Sequence, residues 1–173
     1  MGTCDKHFIN TSENNKMEET PDLQTSVTLN ITHKETMPEM TFGNLSSDIV
    51  NEIFKDGRVA SHFLEHWIAK NYPLTHISGC KKYDLVDEQY PETQYDEKTF
   101  TKGGCKFCPS HMIGTRRKFD QAVFEKKTKN MIFCIVSVVN FPEIKVKFVK
   151  GSDLMKKYPK GSIPIKDHDK FFD

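Results

Sequence analysis

No stretch of the chain approaches the roughly 18 to 20 consecutive apolar residues of a membrane-spanning helix, and its first residues lack the basic segment and apolar run of an export signal. The expectation is a cytoplasmic protein with no membrane partner. Neither the phosphate-cradling G-x-x-x-x-G-K-[S/T] loop nor the dinucleotide fingerprint G-x-G-x-x-G occurs, which removes the common nucleotide-binding folds. A serine nucleophile elbow is missing, and so is any internal repeat. Excess charge of one sign is missing too: 25 Lys and Arg against 24 Asp and Glu leave a net +1, so no global basicity announces nucleic acid. The five cysteines, in a chain without an export signal, read as free thiols or metal ligands rather than as a disulfide framework.

What is present is a length, 173 residues, sufficient for one domain with a real core. The charge is unevenly spread: the beginning of the chain leans acidic, and residues 98–160 are rich in lysine, which leaves room for a local basic surface. Residues 1–44 are polar and read as a flexible N-terminal segment, with Ser26–Thr32 alternating like an edge strand or docking segment; residues 45–173 read as the folded domain. Leu45-Ser46-Ser47-Asp48 is a helix start with a serine cap and an acid in its first turn. Asp56-Gly57 interrupts, and a second helix runs from Arg58 to Asn71 before Pro73. Its apolar stripe is Val59, Phe63, Leu64, Trp67 and Ile68; Glu65 lies on the other side, and His62 and His66 read as helix surface. Leu74–Gly79 begins a sheet. Met131–Val139, apolar and β-branched, reads as a central strand buried on both faces. Ile144–Val149 alternates, Gly151 ends it, and Ser152-Asp153 caps a short helix to Lys157. The expected fold class is α/β, a mixed central sheet of four or five strands flanked by helices.

The richest stretch is Lys81–Phe107. Lys82–Asp87 and Gln94–Phe100 read as two strands joined by a turn at Pro91. Period-two alternation puts Asp96 and Lys98 on one face of the second strand and Tyr95 and Glu97 on the other. A hairpin would return Asp84 beside Asp96 and Lys98. Two carboxylates and an ammonium on one patch suffice to hold a hard divalent cation and steer a water at a phosphodiester.

Asp84 followed twelve residues later by Asp96-x-Lys98 resembles the signature of the PD-(D/E)xK, restriction-endonuclease-like nucleases, with Tyr83 standing where a proline usually precedes the first aspartate. The resemblance covers roughly residues 46–165. It implies a metal-dependent endonuclease that hydrolyses DNA phosphodiesters, of restriction type, with Asp84, Asp96 and Lys98 as its catalytic residues. It also implies Mg2+ as cofactor, with Mn2+ able to substitute, held by Asp84 and Asp96, by the backbone carbonyl of Glu97, and by Glu65 from the preceding helix. Double-stranded DNA is the implied partner, and cutting both strands would call for a homodimer. Lys102, Lys106, Ser110, Arg116 and Arg117 flank the hairpin and suit phosphate contact. A different class is carried by Cys105-x-x-Cys108 with His111: a non-catalytic, zinc-stabilised nucleic-acid-binding or interaction module. Such a site needs a fourth ligand from Cys80, His76 or His66, because no second C-x-x-C exists.

Overall fold

The computed structural model describes residues 23–79, 82–114 and 116–173. A six-stranded mixed sheet organises them, in the order β1-β7-β6-β4-β3-β2. In chain order the elements are β1 (Thr32–Thr36), α1 (Ser47–Phe54), α2 (Gly57–Asn71), β2 (Leu74–His76), β3 (Leu85–Asp87) and β4 (Gln94–Phe100). Then come β5 (Cys105–Lys106), α3 (Gln121–Thr128), β6 (Met131–Asn140), β7 (Glu143–Lys150), α4 (Gly151–Lys157), β8 (Ser162–Ile163) and α5 (His168–Phe172). Within the sheet β4 and β6 run parallel, connected through α3; the other strand pairings are antiparallel. A parallel partner cannot be reached by a tight turn, so the chain must leave the sheet and return over one face. Among the described residues no helix is long and apolar enough to cross a membrane.

β6 shows how the sequence builds two cores at once. Ile132, Cys134, Val136 and Val138 enter the layer under α2, with Leu64, Ile68 and Tyr95. Phe133 and Ile135 enter the opposite layer, with Phe100, Phe107, Phe124, Phe171 and Phe172. A strand buried on both faces has no polar side to alternate with, hence the unbroken apolar run. Each fully buried Leu, Ile or Phe side chain contributes about 1.5–3 kcal/mol. α2 starts at Asp56, whose carboxylate accepts from Arg58 N at 3.0 Å, and buries Ala60, Leu64 and Ile68.

Several expectations need correction. The sheet has six strands, not four or five, because β1 and β2 add short edges to it. The boundary at residue 44 does not exist in the packing. Val27 and Met37 are buried in the α2-side core, Leu23, Leu29 and Met40 pack against it, and β1 pairs with β7 from Thr32↔Lys147 to Thr36↔Glu143. The edge strand thus begins where the Ser26–Thr32 alternation ends. The part of the N-terminal segment before residue 23 lies outside the described residues. Val59 is 45% exposed, so the stripe of α2 turns by one position onto Ala60. β7 stops before Gly151 as expected, but α4 opens at Gly151 itself rather than after a Ser152-Asp153 cap: a Cβ there would lie 1.9 Å from the Thr128 carbonyl oxygen, so only glycine lets α4 cross the end of α3.

Candidate active site

The hairpin register decides what the site contains. β3 pairs with β4 through Leu85↔Tyr95 and Val86↔Gln94, which sets Asp84 opposite Asp96 one step further along. Asp84 N donates to the Tyr95 carbonyl at 2.9 Å, and Asp84 Oδ2 accepts from Glu97 N at 2.8 Å. The expected meeting of Asp84, Asp96 and Lys98 therefore occurs. Lys98 Nζ donates to Asp96 Oδ1 at 2.6 Å and to the Glu97 carbonyl at 2.7 Å.

Burial pushes the Asp96 carboxyl up to about 7; the Lys98 charge opposes this, and the neighbouring Asp84 carboxylate adds to it. Burial alone would depress Lys98, but the Asp96 carboxylate overrides it, and the ammonium is held above its usual value. The result is a cluster in which two carboxylates share the field of one ammonium. Glu97, on the opposite face of β4, is almost fully buried, and burial lifts it to about 8. Thr99 Oγ1 donates to its Oε1 at 2.9 Å.

These residues line a groove of about 1310 Å³ that also receives Glu65 from α2, Lys106 and Ser110 after the hairpin, Lys82 ahead of it, and Lys126 and Lys127 from α3. Carboxylates and lysines line it together with apolar side chains such as Phe107 and Phe133. The sequence reading missed Lys82, Lys126 and Lys127. Their signal was faint, because lysines on a short polar helix or beside a turn look like any solvated surface until the fold brings them beside β4. Of the other cations assigned to DNA, Arg117 Nη1 donates to the Ser110 carbonyl at 2.5 Å. Arg116 is exposed, with φ 67°, and Lys102 lies near Glu52 of α1. None of these three lines the groove.

Two further assignments move. Glu65 lines the groove, yet its Oε2 sits 3.3 Å from His62 Nδ1 and 3.2 Å from His76 Nε2. The Glu97 carbonyl already accepts from Lys98. Cys105 and Cys108 are buried free thiols. Burial raises both, with the Glu97 charge adding to the effect at Cys105, and His111 is exposed. Among the described residues the group of three or more metal-ligating side chains whose donor atoms converge is His62, His66 and His76, and it contains none of the Cys105–His111 segment. Cys80 lies outside the described residues.

At the other end of the sheet Ser137 Oγ meets His168 Nε2 at 2.8 Å, and His168 Nδ1 meets Asp169 Oδ1 at 2.8 Å. The order imitates a nucleophile relay, but Ser137 is 3% exposed and Phe100 and Phe172 ring His168. The three pin α5 to β6.

No protein-family model matches the chain, and no curated protein and no solved structure matches it.

Proposed function

We propose that this protein is a metal-dependent endodeoxyribonuclease of the restriction-endonuclease-like class. The observation that carries the reading is the pairing of Asp84 with Asp96 and Lys98 across one hairpin, in a groove that Lys82, Lys106, Lys126 and Lys127 also line. The mixed sheet with helices packed on it supports the reading at the level of α/β class.

The donor set fits Mg2+. This ion takes hard oxygen ligands and is commonly held by one or two carboxylates, with water and phosphate completing its shell. Asp84 and Asp96 supply that pair, and Glu65, engaged by two histidines, is not required. Mg2+ or Mn2+, when bound, supplies a Lewis acid for the phosphoryl oxygen and acidifies bound water. Lys98, fixed at Nζ by Asp96 and by the Glu97 carbonyl, faces the reacting phosphate. It orients the incoming water and stabilises the charge that grows as the water oxygen bonds to phosphorus and the ester P–O bond breaks. Lys82, Lys106, Lys126 and Lys127 hold the phosphate backbone over the carboxylates and carry no sequence information by themselves. Restriction-type cutting of double-stranded DNA by a homodimer is the specific form of this reading.

The test is incubation of the purified chain with supercoiled plasmid and phage DNA in Mg2+ or EDTA. Nicking or discrete fragments in Mg2+, lost in EDTA and in Asp96→Ala, are expected. A preparation that cuts equally well as Asp96→Ala overturns the assignment.

A further inference from the structure

Sequence alone places His62 and His66 on the surface of α2. They are four apart on that helix and share a face one turn from each other. β2 then delivers His76 to the same spot. The ring centroids of His62 and His66 are 4.8 Å apart, those of His66 and His76 4.2 Å, and those of His62 and His76 6.0 Å. One donor atom from each residue can be chosen so that all lie within 4.8 Å of one another. Three imidazoles packed this closely have a physical cost, because any two that protonate repel. Glu65 offsets that cost from between them, with Oε2 3.3 Å from His62 Nδ1 and 3.2 Å from His76 Nε2.

Those two distances carry the argument. In a tetrahedral zinc site with metal–ligand bonds near 2.0–2.1 Å, neighbouring ligand atoms are about 3.3 Å apart. Glu65 Oε2 already stands at that separation from two ring nitrogens, and the third imidazole is adjacent. We propose that His62, His66, His76 and Glu65 form a binding site for one borderline divalent transition metal ion, with Zn2+ as the type. The ion takes the place of the hydrogen bonds between the carboxylate and the His62 and His76 rings, and small rotations about χ1 and χ2 bring His66 in. Imidazole nitrogen with one carboxylate oxygen suits zinc and its first-row neighbours, whereas Mg2+ prefers the oxygen pair Asp84–Asp96. Two ions of different chemistry would therefore bind to the chain, the second of them beside Glu65, which also lines the groove. Glu65 belongs to the nitrogen-rich site. This inference does not rest on DNA cleavage, and its test reads metal binding alone.

The full chain, stripped with EDTA and dialysed, is titrated with Zn2+ by calorimetry in buffer containing excess Mg2+. One saturable Zn2+ per chain is expected. His66→Ala and His76→Ala should each weaken it at least tenfold, while the double change Cys105→Ser, Cys108→Ser leaves it intact. Because His66 is exposed, its replacement should leave the circular dichroism spectrum unchanged, so loss of binding there is not loss of fold. Co2+ in place of Zn2+ should give tetrahedral ligand-field bands without thiolate charge transfer. No saturable Zn2+, binding unaffected by both histidine changes, or a thiolate band would each overturn the proposal.

Discussion

Asp87 and Asp96 lie on neighbouring strands of one hairpin, Asp87 buried and Asp96 half-buried, and the fold treats them oppositely. Asp87 accepts from five donors: Ser26 N at 2.7 Å, Ser26 Oγ, Tyr95 Oη at 2.7 Å, Gln89 N at 3.0 Å and Tyr90 N at 3.2 Å. Burial would raise it, but these bonds win and hold it at about 2. Asp96 has one ammonium, shared with a carbonyl, and is pushed up to about 7. A carboxylate whose acceptor sites are filled by the backbone is a structural anchor. One left short of donors is a place where a cation can be bound with net gain. The difference sets a structural anchor apart from the proposed site within a single hairpin.

The sharpest way to break that contrast is to remove each acid in turn. Asp96→Asn should cut Mg2+-dependent cleavage at least a thousandfold, about 4 kcal/mol of barrier, while leaving the melting temperature unchanged or higher, because a crowded buried charge has gone. Asp87→Ala should do the reverse. Removing the common partner of five donors costs about 3 kcal/mol, or roughly 6–12 °C in melting temperature for a chain of this size, with cleavage retained by the molecules that remain folded. Parallel melting curves and plasmid assays decide it. If Asp87→Ala also abolished cleavage below its melting point, the division into anchor and site would be wrong.

Acidity offers a second cut. A depressed acid stabilises the fold above its unfolded value and loses that contribution as pH falls; Asp87 moves from 3.8 to about 2, so its share disappears between about pH 4 and 2. Glu97 has the opposite sign. Raised from 4.5 to about 8, it favours the fold only while protonated, and stability should fall as pH climbs from about 4.5 to 8. Denaturant titrations of the metal-free protein across pH should show both arms. Glu97→Gln should flatten the alkaline arm and leave the acid arm in place.

The smallest expected effect concerns the groove lysines. Lys126→Ala with Lys127→Ala should lower the salt slope of DNA binding by about two units, near 0.9 for each phosphate no longer neutralised, for every sequence tested. Lys102→Ala and Arg116→Ala, whose side chains do not line the groove, should change it by less than one. Equal slopes for the two sets would mean that DNA runs along a different face.

The strands β4 and β6 and the meeting of Asp84, Asp96 and Lys98 were legible because each depends on local periodicity and one short turn. Alternation fixes which residues share a face, and a hairpin brings back only its own neighbours. What depends on contacts between distant segments was not legible. Asp87 looked like any acid near a turn until Ser26, 61 residues earlier, closed on it. Polar composition made residues 23–44 read as a tail, because Thr25 and Ser26 bind through hydroxyls and backbone rather than through apolar bulk. His62 and His66 read as surface since nothing in α2 announces that β2 will place His76 beside them. The same limit applied to Lys126 and Lys127, whose place at the groove follows from the parallel pairing of β4 with β6.

The N-terminal strap has a further consequence for how the molecule is made. Thr32 of β1 pairs with Lys147 of β7, 115 residues later. At the usual pace of synthesis, about 5–20 residues per second, roughly 6–23 s separate their emergence from the ribosome. The first described segment to be made is thus among the last to dock. Until then the outer edge of β7 has no partner. The hairpin that carries the acids and the lysine needs only a twelve-residue closure and can form in the meantime. In the order of birth, the cluster of acids and lysine comes before the belt that tightens around it.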